Sequence, residues 1–277
     1  MSTNSYKFVF VILHYMTIAD TERCAESILK LRGADKNAKI VIVDNCSPNG
    51  SGRTLKERYS KNGQIKVILA QQNLGFARGN NLGFRYAKYD LKTDFIIMLN
   101  NDTYITQNDF LEKVVEEYKN SEFAVLGPKI ILNDGMANSI YQSLQSIKHY
   151  KKDLSIIKQE YHLNRIHLYP IYKFARKNIS RFLIRLGIKK QKAKTNPDKK
   201  YENIVLHGSA LIFSKEYIRK FDGLDNRTFL YREEELLYLR LKQAVLKNIY
   251  SPELVVYHNE DGSTDAITGG GRRKRSF

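Results

Sequence analysis

Four groups of polar side chains occupy positions where chemistry could occur. They are His14–Tyr15, Asp44–Asn45, Gln71–Asn73 and Asn100–Asp102, and each follows a short apolar run that is typical of a buried strand. A carboxylate at the end of a buried strand can reach a hard cation such as Mg²⁺ or Mn²⁺, which would bridge the phosphates of a diphosphate. Asp102 is the candidate for that ligand. Asn-Asn-Asp is also good turn chemistry, so a simple turn stays open as the alternative.

Positioning these groups requires a sheet whose strand ends lie side by side. Strands are predicted at Phe8–Leu13, Lys39–Val43, Ile65–Leu69, Asp94–Leu99 and Phe123–Leu126. Helices are predicted from Asp20 or Thr21 to about Gly33, over Phe76–Tyr89 and over Asp109–Lys119. Strands that alternate with helices through short connections form a mostly parallel sheet covered on both faces. Ligands of such sheets bind beyond the carboxyl ends of the strands, where the polar groups stand.

The C-terminal part of the chain adds acids and a histidine. A strand is predicted over Ile204–Phe213, a helix over Phe229–Leu246 and a last strand over Leu254–Tyr257, which His258 follows. The helix carries Glu233–Glu235 near its start, where negative charge is favoured by the helix dipole.

Two glycine-rich ways of binding a nucleotide are excluded by the loops. A dinucleotide-binding unit needs G-x-G-x-x-G after the first strand, whereas the loop Leu13–Asp20 contains no glycine. The chain also has no G-x-x-x-x-G-K-[ST] segment. A glycine cradle therefore does not hold the phosphates, and a metal held by carboxylates is the alternative.

The charge of the chain is concentrated in two places. The net charge is +17, and residues 148–200 contain 16 basic and 3 acidic residues. The tail Arg272–Arg275 adds four more positive charges. Within the basic stretch, Ile171 to about Gly187 is predicted to form an amphipathic helix with basic flanks. We expect both places to meet something anionic, such as phospholipid, a phosphorylated acceptor or nucleic acid.

Composition also excludes some classes of protein. The longest uncharged apolar run, Phe8–Leu13, has 6 residues, whereas a spanning helix needs about 20, so an integral membrane protein is not expected. No basic region and apolar core precede the first strand, so a signal peptide is not expected either. Cys24 and Cys46 show the sparse usage of a reduced, cytosolic chain.

Seven short motifs occur in an order that resembles the inverting GT-A glycosyltransferases of family 2, and within them the rhamnosyltransferase-like, capsular polysaccharide branch. The motifs are Val43–Ser47, Asn73–Asn81, Leu99–Asp102, His207–Ser209, Gly223–Asp225, Phe229–Glu234 and His258. The resemblance covers about residues 7 to 265. It implies the GT-A fold, an α/β fold with a Rossmann-like, mostly parallel central sheet flanked by helices.

The resemblance and the charge pattern together predict four segments. Residues 1–137 would form the nucleotide-sugar-binding α/β half and residues 138–202 a basic helical insertion that faces the acceptor or a membrane. Residues 203–265 would complete the same GT-A domain on its catalytic and acceptor side, and residues 266–277 would form a basic tail.

By the same resemblance, the first strand and the segment Val43–Asn45 hold the nucleoside. Asp44 would accept a hydrogen bond from N3–H of uracil or thymine, Tyr15 would stack on or line the base, and Asn45 would lie nearby. For Asp44, a turn or helix-cap role is the alternative. The remaining residues implied for the nucleotide sugar are Asn73, Gly75, Arg78 and Asn101. Arg78 would clamp a phosphate, with a plain surface charge as the alternative.

The resemblance also implies a metal site and a catalytic base. Asn100–Asp102 occupies the family's Asp-x-Asp position with Asn in place of the first acid, which leaves Asp102 as the charged ligand, and His258 matches the family's late metal-binding histidine. The cation would be Mn²⁺ or Mg²⁺. Aligning the family's arginine with Arg240 puts Glu234 at the position of the base, where the family has Asp. Glu233 would bind the acceptor or support the loop.

These roles imply an inverting transfer of a sugar from a UDP- or dTDP-sugar to a hydroxyl of a lipid-linked or growing polysaccharide acceptor. The donor class, a polyprenyl-diphosphate-linked or polysaccharide acceptor and an anionic membrane surface are the expected partners. We expect a cytoplasmic protein that associates peripherally with the inner face of the plasma membrane. The alternatives are a non-catalytic basic protein that binds membrane or nucleic acid, and a catalytically inactive member of the family.

Overall fold

The computed structural model describes residues 6–138, residues 195–259 and separate positions between 140 and 172. The chain divides into two compact units, residues 1–142 with 196–277 and residues 143–195. In the second unit, residues 159–163 are helical. The predicted amphipathic helix, apart from Tyr172, and the basic tail lie outside the described residues. The boundaries at 137, 202 and 265 stay predictions.

The first unit alternates strands and helices along most of its length. Its strands are β1 (Phe8–His14), β2 (Ala38–Asp44), β3 (Ile65–Leu69), β4 (Phe95–Asn100), β5 (Thr103–Tyr104), β6 (Val125–Leu132), β7 (Tyr201–Glu202), β8 (Ala210–Ser214) and β9 (Asn248–His258). Its α-helices are α1 (Ile18–Leu29), α2 (Ala34–Asn37), α3 (Ser51–Arg58), α4 (Gly75–Arg85), α5 (Phe110–Ser121), α6 (Lys215–Ile218) and α7 (Glu233–Gln243), and a π-helical turn, Tyr86–Asp90, extends α4. None of the helices among the described residues is both long and apolar enough to cross a bilayer.

The nine strands form one sheet in the order β3-β2-β1-β4-β8-β6-β9-β5, with β7 on β9. The pairs β3–β2, β2–β1 and β1–β4 are parallel, as predicted. The array then changes direction, because β8 lies antiparallel between β4 and β6. The pair β6–β9 is parallel again. The predicted α/β sheet is confirmed, and the late strand β8 separates its two parallel parts.

Helices cover both faces of the sheet. In β1, Phe8, Phe10 and Ile12 belong to a core that includes residues of α1 and α5. Val9 and Val11 point to the opposite face, into a core that includes residues of α4 and α7. Because each buried side chain of this size contributes about 1.5–3 kcal/mol, the alternation in β1 ties the two layers to one strand.

Helix α4 lies very close to the sheet because glycines face it. A Cβ atom on Gly79 would come within 2.7 Å of Leu13 Cδ1, and one on Gly83 would clash with Val11. The expectation that Gly83 serves packing is therefore confirmed.

Helix α7 begins four residues later than predicted. Tyr231 and Arg232 have φ values of 73° and 75°, a left-handed conformation that an α-helix does not accommodate. The helix therefore begins at Glu233. This start places all three glutamates in its first turn and leaves Phe229–Arg232 as a loop.

Candidate active site

Strand ends bring the predicted polar groups together at one edge of the sheet. His14 pairs with Asp44 at the end of β1 and β2, and Leu13 pairs with Asn100 at the end of β4. The last residue of β9, His258, pairs with Thr103, one residue after Asp102. The carboxyl edge of the sheet thus collects side chains that are far apart in the sequence, as expected for this type of sheet.

Asp102 and His258 form the charged centre of this edge. His258 Nε2 lies 3.2 Å from Asp102 Oδ1, and the two residues are only 9% and 6% exposed. Neither Asp102 Oδ1 nor His258 Nδ1 has a hydrogen-bond partner. A buried carboxylate oxygen without a donor is costly, and a divalent cation would satisfy it. The two side chains therefore fit a metal site.

The protein supplies only part of a coordination shell here. Among the described residues, no group of three or more His, Cys, Asp or Glu side chains is arranged to hold a metal ion. Mg²⁺ is commonly bound through one or two carboxylates, with substrate phosphates and water completing the octahedron. A site with Asp102 and His258 alone is therefore suited to a cation that arrives with a diphosphate.

Asn101 holds the loop that carries Asp102. Its amide nitrogen donates to Thr17 Oγ1 at 2.7 Å and to Thr21 Oγ1 at 3.2 Å. Both threonines belong to the start of α1, where Thr17 is the N-cap. The side chain predicted to bind the nucleotide sugar thus anchors the loop to α1 through its amide nitrogen.

Glu234 approaches the metal pair through the segment His207–Ser209. Its Oε1 accepts a hydrogen bond from the Gly208 backbone N–H at 3.2 Å, and a Cβ on Gly208 would lie only 2.7 Å from that oxygen. The ring of the preceding residue, His207, lies 5.9 Å from the ring of His258. Burial, with smaller contributions from Glu235 and Glu233, raises the pKa of Glu234. A carboxylate whose pKa is shifted toward neutral suits a general base.

The three glutamates of α7 have different partners. Glu233 is buried and accepts a hydrogen bond from Thr228 Oγ1 at 3.0 Å, so it supports the loop before the helix. Glu235 forms an ion pair with Arg232 at 2.7 Å. Glu234 is the one of the three that contacts Gly208, which is the assignment that the alignment with Arg240 suggested.

His207 had no role in the sequence analysis beyond its place in a motif. Its Nδ1 accepts the Ser209 N–H at 3.2 Å and hydrogen bonds with Ser209 Oγ at 2.7 Å. Burial, assisted by the nearby His258, lowers the pKa of His207 to about 4. The imidazole is therefore neutral near pH 7, with its proton on Nε2. The pattern His-Gly-Ser before a strand was the available signal.

Asp44 is engaged at the end of β2. Its carboxylate accepts hydrogen bonds from the Ser47 hydroxyl at 2.5 Å and from the Ser47 N–H at 3.2 Å. A Cβ on Gly52 would overlap the carboxyl group. These contacts match the turn role that the sequence left open. To read a base N3–H, Asp44 would have to share the oxygen that Ser47 now holds.

Asn45, Asn73 and Gly75 form one hydrogen-bonded unit at the start of α4. The Asn45 amide nitrogen donates to Asn73 Oδ1 at 3.0 Å and to the Gly75 carbonyl at 3.2 Å. Its oxygen accepts from Leu74 N–H at 2.9 Å. Three of the predicted nucleotide-sugar residues are thus brought together, with their amide groups spent on shaping the loop.

The remaining two predicted donor residues lie at the margins of this unit. Arg78 is exposed and donates through Nε to the Asn226 carbonyl at 3.1 Å, so it links α4 to the loop before α7. Tyr15 follows β1 directly and is half-buried. Tyr15 thus occupies the position beside Asp44 from which a side chain could line a base.

His14 forms a buried polar floor under the site. Its Nδ1 hydrogen bonds with Thr21 Oγ1 at 2.6 Å and its Nε2 with Ser51 Oγ at 2.8 Å. Its Nε2 also lies 3.9 Å from Asp44. Burial lowers the pKa of His14 to about 4, although the Asp44 charge opposes that shift. A neutral His14 connects β1 to α1 and α3 without adding charge.

The lowered pKa of His14 predicts a loss of stability in mild acid. Between about pH 6.5 and pH 4 the unfolded chain binds a proton at this residue and the folded chain does not, so folding weakens as the pH falls. We expect His14 to contribute about 3 kcal/mol to that loss, measured by urea unfolding at pH 7.5 and pH 4.5. In His14→Gln the dependence should flatten, with His207 supplying a remaining part. The exposed His162→Gln is the control, and an unchanged slope in His14→Gln would contradict this account.

Gly75 joins the donor side of the site to the loop that precedes Glu233. Its φ is 76°, and a Cβ there would overlap the Phe229 carbonyl oxygen, which accepts the Phe76 N–H at 2.8 Å. We expect Gly75→Ala to lower the free energy of unfolding by about 2–4 kcal/mol, from left-handed strain and overpacking together.

The matched control for this change is Gly50→Ala. Gly50 has φ 75°, and no atom lies within 4 Å of the position that a Cβ would take there, so this variant should lose only about 1 kcal/mol. Urea unfolding of both variants measures the difference. Equal losses would show that the contact with Phe229 adds nothing.

Comparison with known families matches most of this unit. The profile of the family described as "Glycosyl transferase family 2" matches residues 9–221. Part of the chain is 27% identical over 99 residues to the low-salt glycan biosynthesis hexosyltransferase Agl10 of Haloferax volcanii, covering 36% of this chain and 30% of that protein. Another match is 28% identical over 114 residues to the dTDP-rhamnosyl transferase RfbF of Shigella flexneri, covering 41% and 36%. The matched part thus spans about a third of each relative.

Solved structures share the fold over nearly the whole chain. GalNAc-T7, crystallised with UDP, GalNAc and Mn²⁺, superposes with a TM-score of 0.62 at 16% identity, covering 93% of this chain and 44% of that one. Residues 1–349 of TarS from S. aureus superpose with a TM-score of 0.56 at 13% identity, covering 92% and 61%. The predicted GT-A fold is confirmed.

Proposed function

This chain belongs to glycosyl transferase family 2, and from that premise we propose that it transfers a sugar, with inversion, from a UDP- or dTDP-sugar to an acceptor hydroxyl. The observation that carries the proposal is the position of Glu234. Its carboxylate is held by the Gly208 N–H, next to His207, whose ring contacts that of the metal-ligand candidate His258. One base and one metal pair on the same edge of the sheet are the parts that a direct displacement requires.

In this proposal Glu234 takes the proton of the acceptor hydroxyl as its oxygen attacks the anomeric carbon of the donor. The bond from that carbon to the diphosphate breaks in the same step, and the nucleoside diphosphate leaves with the bonding electrons. The transition state resembles an oxocarbenium ion, as in other glycosyl chemistry. Inversion needs no covalent intermediate, so no serine or cysteine nucleophile is required.

Asp102 and His258 would hold Mn²⁺ or Mg²⁺ through Oδ1 and the imidazole. The cation neutralises charge on the departing diphosphate when it is bound. His207 is neutral and has its proton on Nε2, so it can donate a hydrogen bond to an anionic group at the same edge. Asn101 fixes the loop of Asp102 through its bonds to α1, which keeps the carboxylate at the site before a donor binds.

The finer assignment is also a proposal. We infer a rhamnosyltransferase-like enzyme of polysaccharide assembly, with a hexosyl or deoxyhexosyl donor. A relative named as a dTDP-rhamnosyl transferase supports the donor class, and a relative named for glycan biosynthesis supports the pathway class. We propose a polyprenyl-diphosphate-linked or polysaccharide acceptor. The non-catalytic basic binding protein is not favoured, because the family match covers the domain that carries the site.

Calorimetric titration of UDP, dTDP, GDP and CMP in about 5 mM Mn²⁺ tests the donor class. We expect UDP or dTDP to bind and GDP and CMP to bind at least about tenfold more weakly, because only a base with an imide N–H and no bulky purine suits Asp44 and Tyr15. NMR of the product's anomeric coupling then tests inversion. Retained configuration would contradict the role given to Glu234.

Attachment to a membrane is proposed from the charge pattern alone. Residues 148–200 contribute 16 basic and 3 acidic residues, and each basic group near an anionic surface adds about 1 kcal/mol. We expect the protein to co-sediment with phosphatidylglycerol vesicles, to be released as salt rises, and to ignore neutral phosphatidylcholine vesicles. Equal binding to both vesicle types, or none to either, would contradict peripheral attachment to the cytoplasmic face.

A further inference from the structure

A separate cavity of about 210 Å³ lies beside the metal pair, where β5, β6 and β9 end. Its walls include Tyr104, Tyr257, Asn133, Asn259 and His258. None of these residues except His258 belongs to the machinery assigned to donor binding or to proton transfer. The proposed reaction leaves this cavity without a role.

Two tyrosines form one wall of the cavity. Tyr104 and Tyr257 are paired across the β5–β9 ladder, and their rings stack with centroids 5.1 Å apart and planes 13° apart. The Arg23 guanidinium lies over the Tyr104 ring at 5.3 Å. Because strand side chains alternate between faces, this tyrosine pair lies on the face of the ladder opposite to the His258 side chain. A ligand on the tyrosines would therefore not compete with a diphosphate at Asp102.

Two amides stand near the stacked rings. Oriented by its hydrogen-bond partners, the Asn259 amide accepts from Arg23 at 2.6 and 2.7 Å and donates to Asn133 Oδ1 at 2.5 Å. The amide nitrogen of Asn133, which is exposed, has further donor capacity. Arg23 thus ties one ring and one amide together, so this wall is ordered without a ligand.

The chemistry of the lining selects the ligand. Among the described residues that line the cavity, none is Lys, Arg, Asp or Glu. A phosphate or a nucleotide finds no counter-charge there. An aromatic plane with polar edges and nearby amides instead suits a neutral ring that has an apolar face and hydroxyl groups on its rim. A sugar has both features.

We propose that this cavity binds a neutral sugar unit of the acceptor chain, at a distance from the hydroxyl that reacts. Naming the acceptor rests on the proposed function, whereas sugar binding itself does not. A site that contacts the acceptor equally before and during the reaction contributes uniform binding. Its loss should raise the KM for acceptor and leave kcat unchanged.

Saturation-transfer NMR on the full chain tests the site without any nucleotide. The probes are D-glucose, D-galactose, L-rhamnose and N-acetyl-D-glucosamine, with glucose 1-phosphate as the charged comparison. We expect at least one neutral sugar to give a signal that Tyr257→Leu reduces at least about fivefold and that UDP with Mn²⁺ does not displace. The control is Tyr89→Leu, at an exposed tyrosine of the π-helical turn, which should bind as wild type does.

Two results would overturn this inference. One is a sugar signal that is absent in the wild type or equal in Tyr257→Leu and wild type. The other is binding of glucose 1-phosphate alone. Thermal melting shows whether Tyr257→Leu is folded, and Asn133→Ala, at an exposed wall position, repeats the test if it is not. Release of nucleotide from the donor without acceptor tests the proposed function separately, so the two can fail independently.

Discussion

Asp102→Asn is expected to lower turnover by about 10³-fold or more, because metal stabilisation of a leaving group contributes several kcal/mol and each 1.4 kcal/mol is a factor of ten. The amide keeps the shape of the carboxylate and removes the charge that binds a cation. In the wild type Asp102 Oδ1 is buried without a donor, so Mn²⁺ should raise the melting temperature, as any ligand of the native state does. The variant should lose that increase.

The measurement is a thermal scan of both proteins with and without Mn²⁺, paired with a turnover assay. Asp35→Asn, at an exposed position on α2, is the matched control and should behave as wild type. Without metal, Asp102→Asn should be at least as stable as wild type, since it relieves an unsatisfied buried charge. An Mn²⁺-dependent stabilisation that persists in Asp102→Asn would remove the metal site from this position.

Glu234→Gln is expected to lower turnover by about 10²- to 10⁴-fold, the range for loss of a general base. The amide cannot take the proton of the acceptor, but it can still accept the Gly208 N–H, so donor affinity should stay near wild type. Steady-state kinetics with saturating donor measures the fall in kcat. The raised pKa of Glu234 also predicts an acidic limb in the pH–rate profile, with activity falling as this carboxyl group is protonated, and that limb should vanish in the variant.

Glu235→Gln is the matched control for that experiment. It lies one residue further along α7, forms its ion pair with Arg232 at the surface, and should cost less than about threefold. Glu233→Gln is expected to act on stability instead, through its bond to Thr228. If Glu235→Gln were the damaging change, the alignment with Arg240 would be shifted by one residue.

The parallel part of the fold was predictable because its signals are local. Short β-branched runs such as Ile40–Val43 are typical of strands buried on both sides, and parallel strands place their ends at one edge. The meeting of Asp102 with His258 follows from that rule once β9 is recognised as a strand. Their separation of 3.2 Å is the result that the ordered motifs anticipated.

Other features could not be predicted because they depend on distant contacts. The place of β8 between β4 and β6 is decided by packing in both cores, and no residue of β8 encodes it alone. The start of α7 is set by the left-handed Tyr231 and Arg232, residue types that rarely adopt that conformation. The engagement of Asp44 by Ser47 and of Asn45 by the Asn73–Gly75 segment consists of side-chain bonds that a one-dimensional pattern does not contain.

The buried position of His14 shows the same limit. Its place at the end of β1 was visible in the sequence, but its partners Thr21 and Ser51 come from two helices. One of those helices, α3, was not predicted. A histidine at a strand end could equally have been a ligand, and only its two hydroxyl partners show that it supports the site from below.

Release of nucleoside diphosphate from a panel of UDP- and dTDP-sugars, with Mn²⁺ and with EDTA, tests the central claim most directly. The account predicts that at least one donor is turned over by the wild type, that EDTA stops the release, and that Asp102→Asn and Glu234→Gln each suppress it once an acceptor is present. Release that is unaffected by EDTA and by both substitutions, or no release from any donor by a folded protein that binds polyanions tightly, would contradict it.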